Sequence, residues 1–333
     1  MVRVEWLSEG SFTILDVNNY VDKICNIEHC TIGQNLDLLN ILHNSFSYST
    51  DIVIVVCDKK ILGLLPVAII SGTLVSIPHF SYGDFICPSF SYGRCFDAFT
   101  VFCENKGLNY EIRSLVKSDK YIESDKVSAF LQLKPTATDQ FSNFHKKLRS
   151  QIKKGYKNGV TVKVCGIESL SDFYYVYSHN MHKLGWSPLP LVFFIDLFKG
   201  YKKGSILIFI AMYENKPIGC SLVLEYKGFS EVCWASTLHQ YNRLSANMVL
   251  YWGMIENSIE CNGSIFSFGR ASYGGGPYNF KKQWGVSMQP LYWKKSYMKD
   301  IQIKNIKILS TVWKRLPYRL TISLSKIISK YIY

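Results

Sequence analysis

Two stretches of this chain decide how its fold is interpreted: IVIVVCDKKILGLLPVAII at residues 52–70 and ILIFIAMYENKPIGCSLVLEY at residues 206–226. Each joins two runs rich in β-branched residues through a short polar turn, a pattern that predicts an antiparallel β-hairpin. The turn lysines Lys60 and Lys216 lie 156 residues apart, and Gly63 and Gly219 fall at about the same offset. This self-similarity predicts one structural unit that is used twice.

The elements around the two hairpins repeat in the same order. In each half a helix precedes the hairpin, and a further strand, a long helix closed by a glycine and an arginine-bearing strand follow it. The predicted helices are 34–44, 94–106, 189–200 and 246–261, the closing glycines are Gly107 and Gly263, and the arginines are Arg113 and Arg270. This order indicates an α/β fold with mixed (α+β) sheets. We predict a first domain over 1–140, a second over 141–298 and a tail over 299–333.

Composition limits the classes of protein to which the chain can belong. Its 333 residues are 48% hydrophobic, enough for two cores, and its start lacks the apolar stretch of a signal peptide. The most apolar window, 52–70, is interrupted by Asp58-Lys59-Lys60, so we expect two strands and no membrane span. The ten cysteines form no C-x-x-C pair and no cluster with histidine, which indicates reduced thiols without a metal site. We therefore expect a cytoplasmic protein.

The net charge of +13 is concentrated in two segments. Residues 144–157 carry six basic side chains and no acid, and residues 294–333 carry ten against one acid. Such clusters favour anionic partners, namely phosphates, nucleic acid or a lipid surface. A buried helical stripe is predicted in the first cluster, so its basic residues can equally form a merely solvated face. The stripe consists of Phe141, Phe144, Leu148, Ile152 and Tyr156.

The tail from Ile301 alternates apolar and basic residues, and Pro317 should divide it into two helices. A basic amphipathic tail suits a membrane interface, and packing of the tail on the second domain is the alternative. His179 and His182 stand three residues apart. Because their neighbourhood offers too few further ligands for zinc, we expect them to be surface or capping residues.

Three segments carry a resemblance to a known family: FHKKLRSQIKKGYKNGVTV from Phe144, HKLGWSPLP from His182 and IFSFGRASYGGGPYNFKKQWG from Ile265, with LGLLPV and LVSIPHFSYGD in the first half. They resemble the FemAB/FemX-like branch of the GNAT acyltransferase superfamily, and most of all its members associated with exopolysaccharide and exosortase systems. Members of this branch contain two GNAT-like domains, so the resemblance implies a tandem duplicated GNAT-like fold. It also implies transfer of an acyl group, in the best-understood members an amino acid from aminoacyl-tRNA, to an amine of a cell-wall precursor.

The resemblance implies a catalytic lysine. In the family's F-K-x-x-[FW]-G pattern the lysine lies at the donor carbonyl, and Phe280-Lys281-Lys282-Gln283-Trp284-Gly285 places Lys281 there. N-acyl transfer needs a neutral amine and a group that stabilises the oxyanion, which a lysine can do as a positive donor. We predict Lys281 as catalytic and Phe280, Lys282 and Trp284 as substrate-binding. A solvated Lys-Lys pair in a loop is the alternative.

Further candidates lie in two predicted loops. Gly269-Arg270 and Ser272–Gly276 form a glycine-rich turn that lets the backbone approach a ligand. Because arginine binds phosphate or carboxylate bidentately, we predict a binding role for Arg270 and Arg113, although Arg113 can instead pair with Glu111. Asp84 is the candidate general base, with capping of its turn as the alternative. The remaining predicted substrate-binding residues are Tyr82, Tyr273 and Tyr278.

The acyl donor is left open between aminoacyl-tRNA and acyl-CoA, and no other cofactor is implied. GNAT proteins that use acetyl-CoA bind its pyrophosphate through a glycine-containing Q/R-x-x-G-x-G/A loop before the long helix. This chain has QYNRLSANM at that place, without glycine. If the donor is aminoacyl-tRNA, we expect its phosphates to contact Lys147, Arg149, Lys153 and Lys154.

The leading hypothesis is therefore an N-acyltransferase that modifies an amine of a cell-envelope glycan or peptidoglycan precursor, in exopolysaccharide biosynthesis. A catalytically silent GNAT-like protein that binds an anionic glycan intermediate is the second hypothesis, and an RNA-binding module that uses residues 144–157 is the third. The expected partners are an anionic glycan or lipid-linked precursor and tRNA, with peripheral contact of the tail at the inner membrane surface.

Overall fold

The computed structural model describes residues 2–28, 30–117, 122–297 and 310–332. The chain divides into two compact units. The first comprises Met1–Lys126, Gly200–Lys203 and Pro290–Lys299, and the second comprises Val127–Lys199, Gly204–Gln289 and Asp300–Tyr333. The predicted start of the tail at residue 299 and its apolar residues Ile306, Ile308 and Leu309 lie outside the described residues.

Helices and strands follow the order that the sequence predicts. The strands are β1 (Val2–Trp6), β2 (Ser49–Cys57), β3 (Lys60–Ile70), β4 (Thr73–Ser76), β5 (Asn109–Ser114), β6 (Ile122–Gln132), β7 (Thr161–Cys165), β8 (Ser205–Tyr213), β9 (Lys216–Tyr226), β10 (Phe229–Thr237), β11 (Ile265–Ser272) and β12 (Ser287–Lys295). The helices are α1 (Ile14–Cys25), α2 (Asp37–Phe46), α3 (Tyr92–Lys106), α4 (Ala137–Asn143), α5 (Lys146–Lys157), α6 (Leu170–Leu184), α7 (Leu191–Gly200), α8 (Ala246–Glu260), α9 (Gly276–Lys282) and α10 (Tyr318–Ile328).

The first unit is a mixed sheet with the strand order β1-β2-β3-β4-β5-β12. Strands β4 and β5 are parallel, and the other neighbours are antiparallel. Side chains of β2 and β3, such as Val55 and Leu65, share a core with Phe99 of α3. Helix α2 packs on the same two strands, which therefore bury side chains on both faces.

The second unit is a mixed sheet of the same kind, with the order β6-β11-β10-β9-β8-β7. Here β10 and β11 are parallel, and β7 to β10 pair antiparallel in sequence. Helix α8 packs on β7, β8 and β9, and α6 packs on β8, β9 and β10. A hydrophobic core of this unit contains Phe209, Val249 and Trp284. The predicted α/β class with mixed sheets is confirmed.

The hairpins of the two units share an irregularity at the same place. Each joins a strand of nine residues to one of eleven. Val55 pairs with Gly63 and Ala211 pairs with Gly219, and the register shifts immediately after each of these pairs. Because a β-bulge depends on local backbone detail, its recurrence at an offset of 156 residues supports the predicted duplication.

The turns and the parallel pairs repeat at the same offset. Positive φ angles occur at Asp58 and Lys59 in the first hairpin turn and at Glu214 and Asn215 in the second. The parallel pairing begins with Thr73 opposite Asn109 and with Phe229 opposite Ile265, and it comprises three residue pairs in each unit. The two halves are thus equivalent in register as well as in element order.

This register corrects two details of the predicted repeat. The residue equivalent to Arg113 is Gly269, so Arg270 is not its repeat partner. Gly107 ends α3 with a left-handed φ of 62°, whereas after α8 the left-handed residue is Asn262 and not Gly263. Asparagine adopts this conformation more readily than most residues, so the left-handed residue lies one position earlier in the second repeat.

The predicted stripe from Phe141 to Tyr156 is interrupted. Helix α4 ends before Phe144, and α5 begins after His145, whose ring nitrogen accepts a hydrogen bond from the backbone N–H of Lys147. Phe144, Leu148 and Ile152 are buried as expected, but Tyr156 is exposed. The prediction of one continuous stripe was wrong, because this capping residue starts a new helix with a shorter apolar face.

Two of the cysteines were wrongly expected to be reduced. Cys25 and Cys30 form a disulfide whose Cα atoms are 5.3 Å apart. Cys25 ends α1, and the chain returns on itself directly after the helix, so residues five apart in sequence become neighbours. The other eight cysteines carry free thiols.

The shared bulge gives a test of the first hairpin. A Cβ on Gly63 would lie 2.6 Å from Cys95 Sγ and 3.1 Å from Cys87 Cβ, both buried. We expect Gly63→Ala to lower the free energy of unfolding by about 1–3 kcal/mol through overpacking. Gly93→Ala is the matched control, because Gly93 is exposed in α3 with no atom within 4 Å of its Cβ position. Urea unfolding measures both, and an unchanged midpoint for Gly63→Ala would contradict this packing.

Candidate active site

In the second unit the parallel strands β10 and β11 separate part of the way along. They pair from Phe229 opposite Ile265 to Glu231 opposite Ser267, although both strands continue further. Strand β10 also shifts its register against β9 between Val232 and Trp234. Backbone groups of β11 beyond Ser267 therefore need hydrogen-bond partners other than β10.

Lys281 meets this need. Its Nζ donates to the backbone oxygen of Gly269 at 2.9 Å and to that of Arg270 at 2.8 Å. In a regular strand, consecutive carbonyl groups point to opposite edges. Gly269 has a φ of 69°, which breaks this alternation and lets both oxygens face one ammonium group. Only 6% of the Lys281 side-chain surface is exposed, so the charge is held in the protein wall.

The residues around Lys281 explain the Phe280–Gly285 pattern physically. Helix α9 spans only seven residues and cannot hold its orientation alone. The ring of Phe280 lies 4.9 Å from that of Tyr251, and the fully buried ring of Trp284 lies 5.7 Å from that of Phe268. These two aromatic anchors flank Lys281 and fix the helix on the core. Lys282 is exposed, which distinguishes the two adjacent lysines.

The charge of Lys281 depends on its surroundings. Burial lowers its pKa to about 7, the negative charge of Glu231 opposes this shift, and the positive charge of Arg270 adds to it. Glu231 is itself buried, on β10 at the last pair before the strands separate. The sequence patterns did not identify Glu231. The only sequence signal for this residue is an acid at the start of the apolar strand EVCWAS. A lysine with this pKa can carry or release its proton near neutral pH.

The equivalent place in the first unit has no lysine. The carbonyl group of Arg113, equivalent to that of Gly269, accepts a hydrogen bond of 3.0 Å from the backbone N–H of Gly83. The loop can approach this closely because a Cβ on Gly83 would lie 2.9 Å from the side chain of Ile77. At this position of the strand the hydrogen-bond donor is a backbone N–H group in the first unit and an ammonium group in the second.

The Arg113 side chain is buried and paired within the first unit. Its guanidinium group is 1% exposed, donates to Glu111 Oε1 at 3.1 Å and lies 4.8 Å from the Trp293 ring centroid. The Glu111 carboxylate also contacts Lys295 at 2.9 Å. The pairing of Arg113 with Glu111, which the sequence left as an alternative to ligand binding, is the one observed. Tyr82 is also buried in this unit.

Asp84 belongs to a buried polar cluster of the first unit. Its carboxylate accepts hydrogen bonds from the Phe85 backbone N–H at 2.8 Å, from the Tyr92 hydroxyl at 2.8 Å and from the Ser114 hydroxyl. Lys294 is fully buried and donates to the same two hydroxyl groups. Burial raises the pKa of Asp84 and lowers that of Lys294, and their mutual attraction opposes both shifts.

The glycine-rich turn after β11 is open to solvent. Tyr273 is 69% exposed, and its ring lies 4.9 Å from that of Tyr278. Arg270 is half-buried and close enough to Lys281 for its charge to lower the pKa of that lysine. The second unit therefore brings together Arg270, Phe280, Lys281 and Trp284, with Tyr273 on the adjoining turn and Tyr278 in α9. Tyr82, Asp84 and Arg113 belong to the first unit.

The basic helix α5 packs on α8 and turns its charges to solvent. A Cβ on Gly155 would lie 2.3 Å from the side chain of Val249, so the two helices are in close contact. Arg149 is half-buried, and the other five basic residues are exposed: Lys146, Lys147, Lys153, Lys154 and Lys157. The helix thus presents a contiguous positive surface.

His179 and His182, which we expected to be surface or capping residues, contact α6 and the segment around α10. His179 donates a hydrogen bond from Nδ1 to the Tyr175 carbonyl and stacks on Tyr318, and His182 lies 3.0 Å from the Leu316 carbonyl. No group of three or more potential metal ligands occurs among the described residues. Within the same residues, no helix is both long and apolar enough to cross a membrane.

Comparisons with known proteins agree with this geometry. Residues 142–282 match the family model described as an acetyltransferase (GNAT) domain. The chain is similar in structure to FemX, with a TM-score of 0.66 at 10% identity over 90% of this chain and 99% of FemX. It is also similar to L-PGS from Bacillus licheniformis, with a TM-score of 0.55 at 14% identity over 90% and 97% of the two chains. A comparison with curated proteins found no match.

A tandem GNAT protein from the clavulanic acid biosynthesis pathway is a further structural neighbour, with a TM-score of 0.54 at 10% identity over 90% of this chain and all of that one. The predicted tandem GNAT-like fold is confirmed, and the fold that the chain shares with FemX agrees with its resemblance to the FemAB-like branch. The matched domain contains Lys281 and Glu231, and it supports an acyltransferase.

The buried ammonium group gives a prediction that needs no substrate. We expect Lys281 to titrate near pH 7 and not at 10.5, because burial disfavours its charged form. NMR of protein labelled with ¹³C and ¹⁵N at lysine measures this, and the resonance is assigned by its loss in Lys281→Met. Lys282→Met is the control and should leave the resonance in place. An ordinary lysine titration for the assigned resonance would contradict the burial and charges described above.

Proposed function

We propose that this chain, in which a GNAT acetyltransferase domain occupies residues 142–282 of a tandem fold similar to that of FemX, transfers an acyl or aminoacyl group to an amine of a cell-envelope glycan or peptidoglycan precursor. The observation that carries this proposal is the ammonium group of Lys281, held where β10 and β11 separate. The process that the proposal favours is exopolysaccharide assembly, as the resemblance of the sequence implies.

The geometry of Lys281 suits stabilisation of an oxyanion. A protonated lysine has three N–H donors, and the oxygens of Gly269 and Arg270 use two of them. The third is available to an oxygen that becomes negative when an amine attacks the acyl carbonyl. A donor that is already fixed in a low-dielectric wall needs no reorganisation during the reaction, which is where such donors contribute most.

The proton that the acceptor amine loses needs a base, because only the neutral amine attacks the carbonyl carbon. In the proposal Asp84 takes this role. Its carboxylate accepts hydrogen bonds from the Phe85 backbone and from the Tyr92 and Ser114 hydroxyls, which leaves one lone-pair position for a proton. Its raised pKa favours uptake of a proton at neutral pH. The acceptor itself would be bound by Arg270 of β11, by Tyr273 of the exposed turn and by Tyr278 of α9.

Of the two acyl donors, the proposal favours aminoacyl-tRNA. The positive surface of α5 has the charge that a phosphate backbone requires, with Lys147, Arg149, Lys153 and Lys154 as the expected contacts. The segment before α8 is a short 3₁₀ turn without glycine, and Ser245 adopts there a left-handed φ of 61°. A pyrophosphate would have to be bound there without the flexible glycine backbone typical of acetyl-CoA sites.

The role of Lys281 is tested by substitution. We expect Lys281→Met to reduce transfer by about a hundredfold to a thousandfold, the cost of one oxyanion donor. The assay measures transfer of label from aminoacyl-tRNA, or from acetyl-CoA, to extracted lipid-linked glycan precursors. Lys282→Met is the matched control and should retain most of the activity, because Lys282 is exposed. Circular dichroism establishes that both variants are folded, and near-normal transfer by folded Lys281→Met would refute the proposed role.

The donor is tested separately by titration with tRNA. If aminoacyl-tRNA is the donor, we expect binding that weakens steeply between about 50 and 200 mM salt and that is lost when Lys153 and Lys154 are both changed to Glu. Changing Lys59 and Lys60 of the first hairpin turn to Glu gives the same net charge and should leave binding intact. Binding that is absent at low salt, or equal in the two double variants, would count against tRNA and favour a small thioester donor.

A further inference from the structure

The helix α10 is docked with its polar side inward. Thr321, Ser325 and Ser329 lie at every fourth position and are 0%, 0% and 3% exposed. On the opposite part of the helix Leu320 and Ile327 are 45% and 64% exposed. An amphipathic helix of a water-soluble domain buries its apolar stripe against the core. This helix instead buries its hydroxyl-bearing positions most completely, leaves Ile322, Leu324 and Ile328 half-buried, and exposes Leu320 and Ile327. These two apolar side chains are therefore left for something other than the core of this unit.

Specific contacts fix this orientation. The Tyr318 hydroxyl lies 2.7 Å from Ser178 Oγ of α6, and the Tyr318 ring stacks on that of His179 with centroids 4.1 Å apart. Two of the buried hydroxyl groups are satisfied within the helix, since Thr321 donates to the Tyr318 carbonyl and Ser325 to the Ile322 carbonyl, both at 2.7 Å. The buried Ser329 hydroxyl has no hydrogen-bond partner among the described residues. Small side chains at these positions let α10 pack closely on α6.

The outward part of α10 has two separate stripes. Leu320, Leu324 and Ile327 recur at spacings of four and three, which places them within about 60° of one another around the helix. Arg319 and Lys326 form a second stripe that flanks the first. In the turn that follows the helix, Tyr331 is 68% exposed and extends the apolar side. An exposed apolar stripe with a basic flank and an aromatic end has the composition of a helix that lies in a membrane interface.

We propose that α10 docks this protein on the surface of an anionic lipid bilayer, with its axis in the plane of the membrane. The helix is about 16 Å long, whereas a hydrocarbon core of about 30 Å would have to be spanned. It therefore inserts only its apolar stripe, while the basic stripe contacts lipid phosphates. This proposal does not depend on the acyl-transfer chemistry.

The charge of this segment favours an anionic bilayer over a second copy of the chain as the partner of α10. Residues 310–332 carry five basic side chains and no acid: Lys314, Arg315, Arg319, Lys326 and Lys330. Two copies that met through this surface would bring like charges together at the edge of the apolar contact, which is unfavourable. An anionic bilayer offers both the apolar depth and the opposite charge. Val312, which precedes α10 in helical residues 310–315, is 52% exposed and adds to the apolar surface.

Sedimentation with lipid vesicles tests the proposal. We expect the wild-type protein to bind vesicles of equal parts phosphatidylcholine and phosphatidylglycerol, and to bind pure phosphatidylcholine far more weakly. Changing Leu320 and Ile327 to Ser should weaken binding by about tenfold or more, because these side chains lose their apolar environment in the membrane. Changing Arg319 and Lys326 to Gln should weaken it by roughly thirtyfold, since each basic residue at an anionic surface contributes about a factor of five.

A matched control removes two exposed apolar side chains elsewhere in the same unit. Val164 and Ile167 are 49% and 51% exposed, and changing both to Ser should leave vesicle binding unchanged. All variants alter exposed positions, and their unfolding temperatures establish that they are folded. Failure of the wild type to bind anionic vesicles, or equal binding by the Leu320/Ile327 variant, would overturn the proposal. Concentration-dependent dimerisation that only this variant loses, without vesicle binding, would instead assign the stripe to a second copy of the chain.

Discussion

Where two parallel strands separate, their facing backbone groups lose each other as partners, and the candidate site of this protein depends on how that loss is compensated. In the second unit Lys281 supplies two hydrogen bonds to consecutive carbonyl groups of β11. A buried polar group is tolerated only when it is paired, so the carbonyl oxygens and the ammonium group stabilise one another. Burial in the same arrangement lowers the pKa of Lys281 to about 7, and in the proposed transfer its third N–H donates to the oxyanion. A single side chain therefore pairs the backbone carbonyl groups and, in the proposal, supplies the charge for acyl transfer.

The two halves show how a duplicated unit can diverge without losing its framework. Their hairpins, turns and parallel pairs agree in register. They differ where the parallel strands end, because the first unit uses the backbone N–H of Gly83 and the second uses Lys281. The first unit instead has a buried cluster around Asp84 and Lys294. A closed backbone contact stabilises the fold, whereas a cationic side chain adds chemistry.

Basic surfaces occur on two helices of the second unit, and packing gives each a different character. Helix α5 buries Leu148 and Ile152 and exposes five of its six basic side chains, which suits a phosphate backbone in water. Helix α10 buries hydroxyl groups and exposes Leu320 and Ile327 beside its charges, which suits a lipid surface. Both helices are rich in lysine and arginine, so charge alone does not distinguish them. The difference lies in which side chains the neighbouring helix covers.

The sequence by itself determined the features that depend on local pattern. The apolar, β-branched runs on either side of Asp58-Lys59-Lys60 and Glu214-Asn215-Lys216 specified both hairpins. The offset of 156 residues specified the repeat, and Pro317 specified where α10 begins. The resemblance of the Phe280–Gly285 segment to a family pattern also identified Lys281 as the residue to examine.

Only the tertiary structure decided what depends on contacts between distant segments. It showed that Lys281 points inward while Lys282 points to solvent, that Glu231 from another strand acts on its charge, and that Arg113 is occupied by Glu111. It also showed that α10 buries its polar side, contrary to what its apolar periodicity alone would indicate. The physical reason is that a helix or strand specifies which side chains share a face. Which face is covered depends on the partner that packs there, and that partner lies elsewhere in the chain.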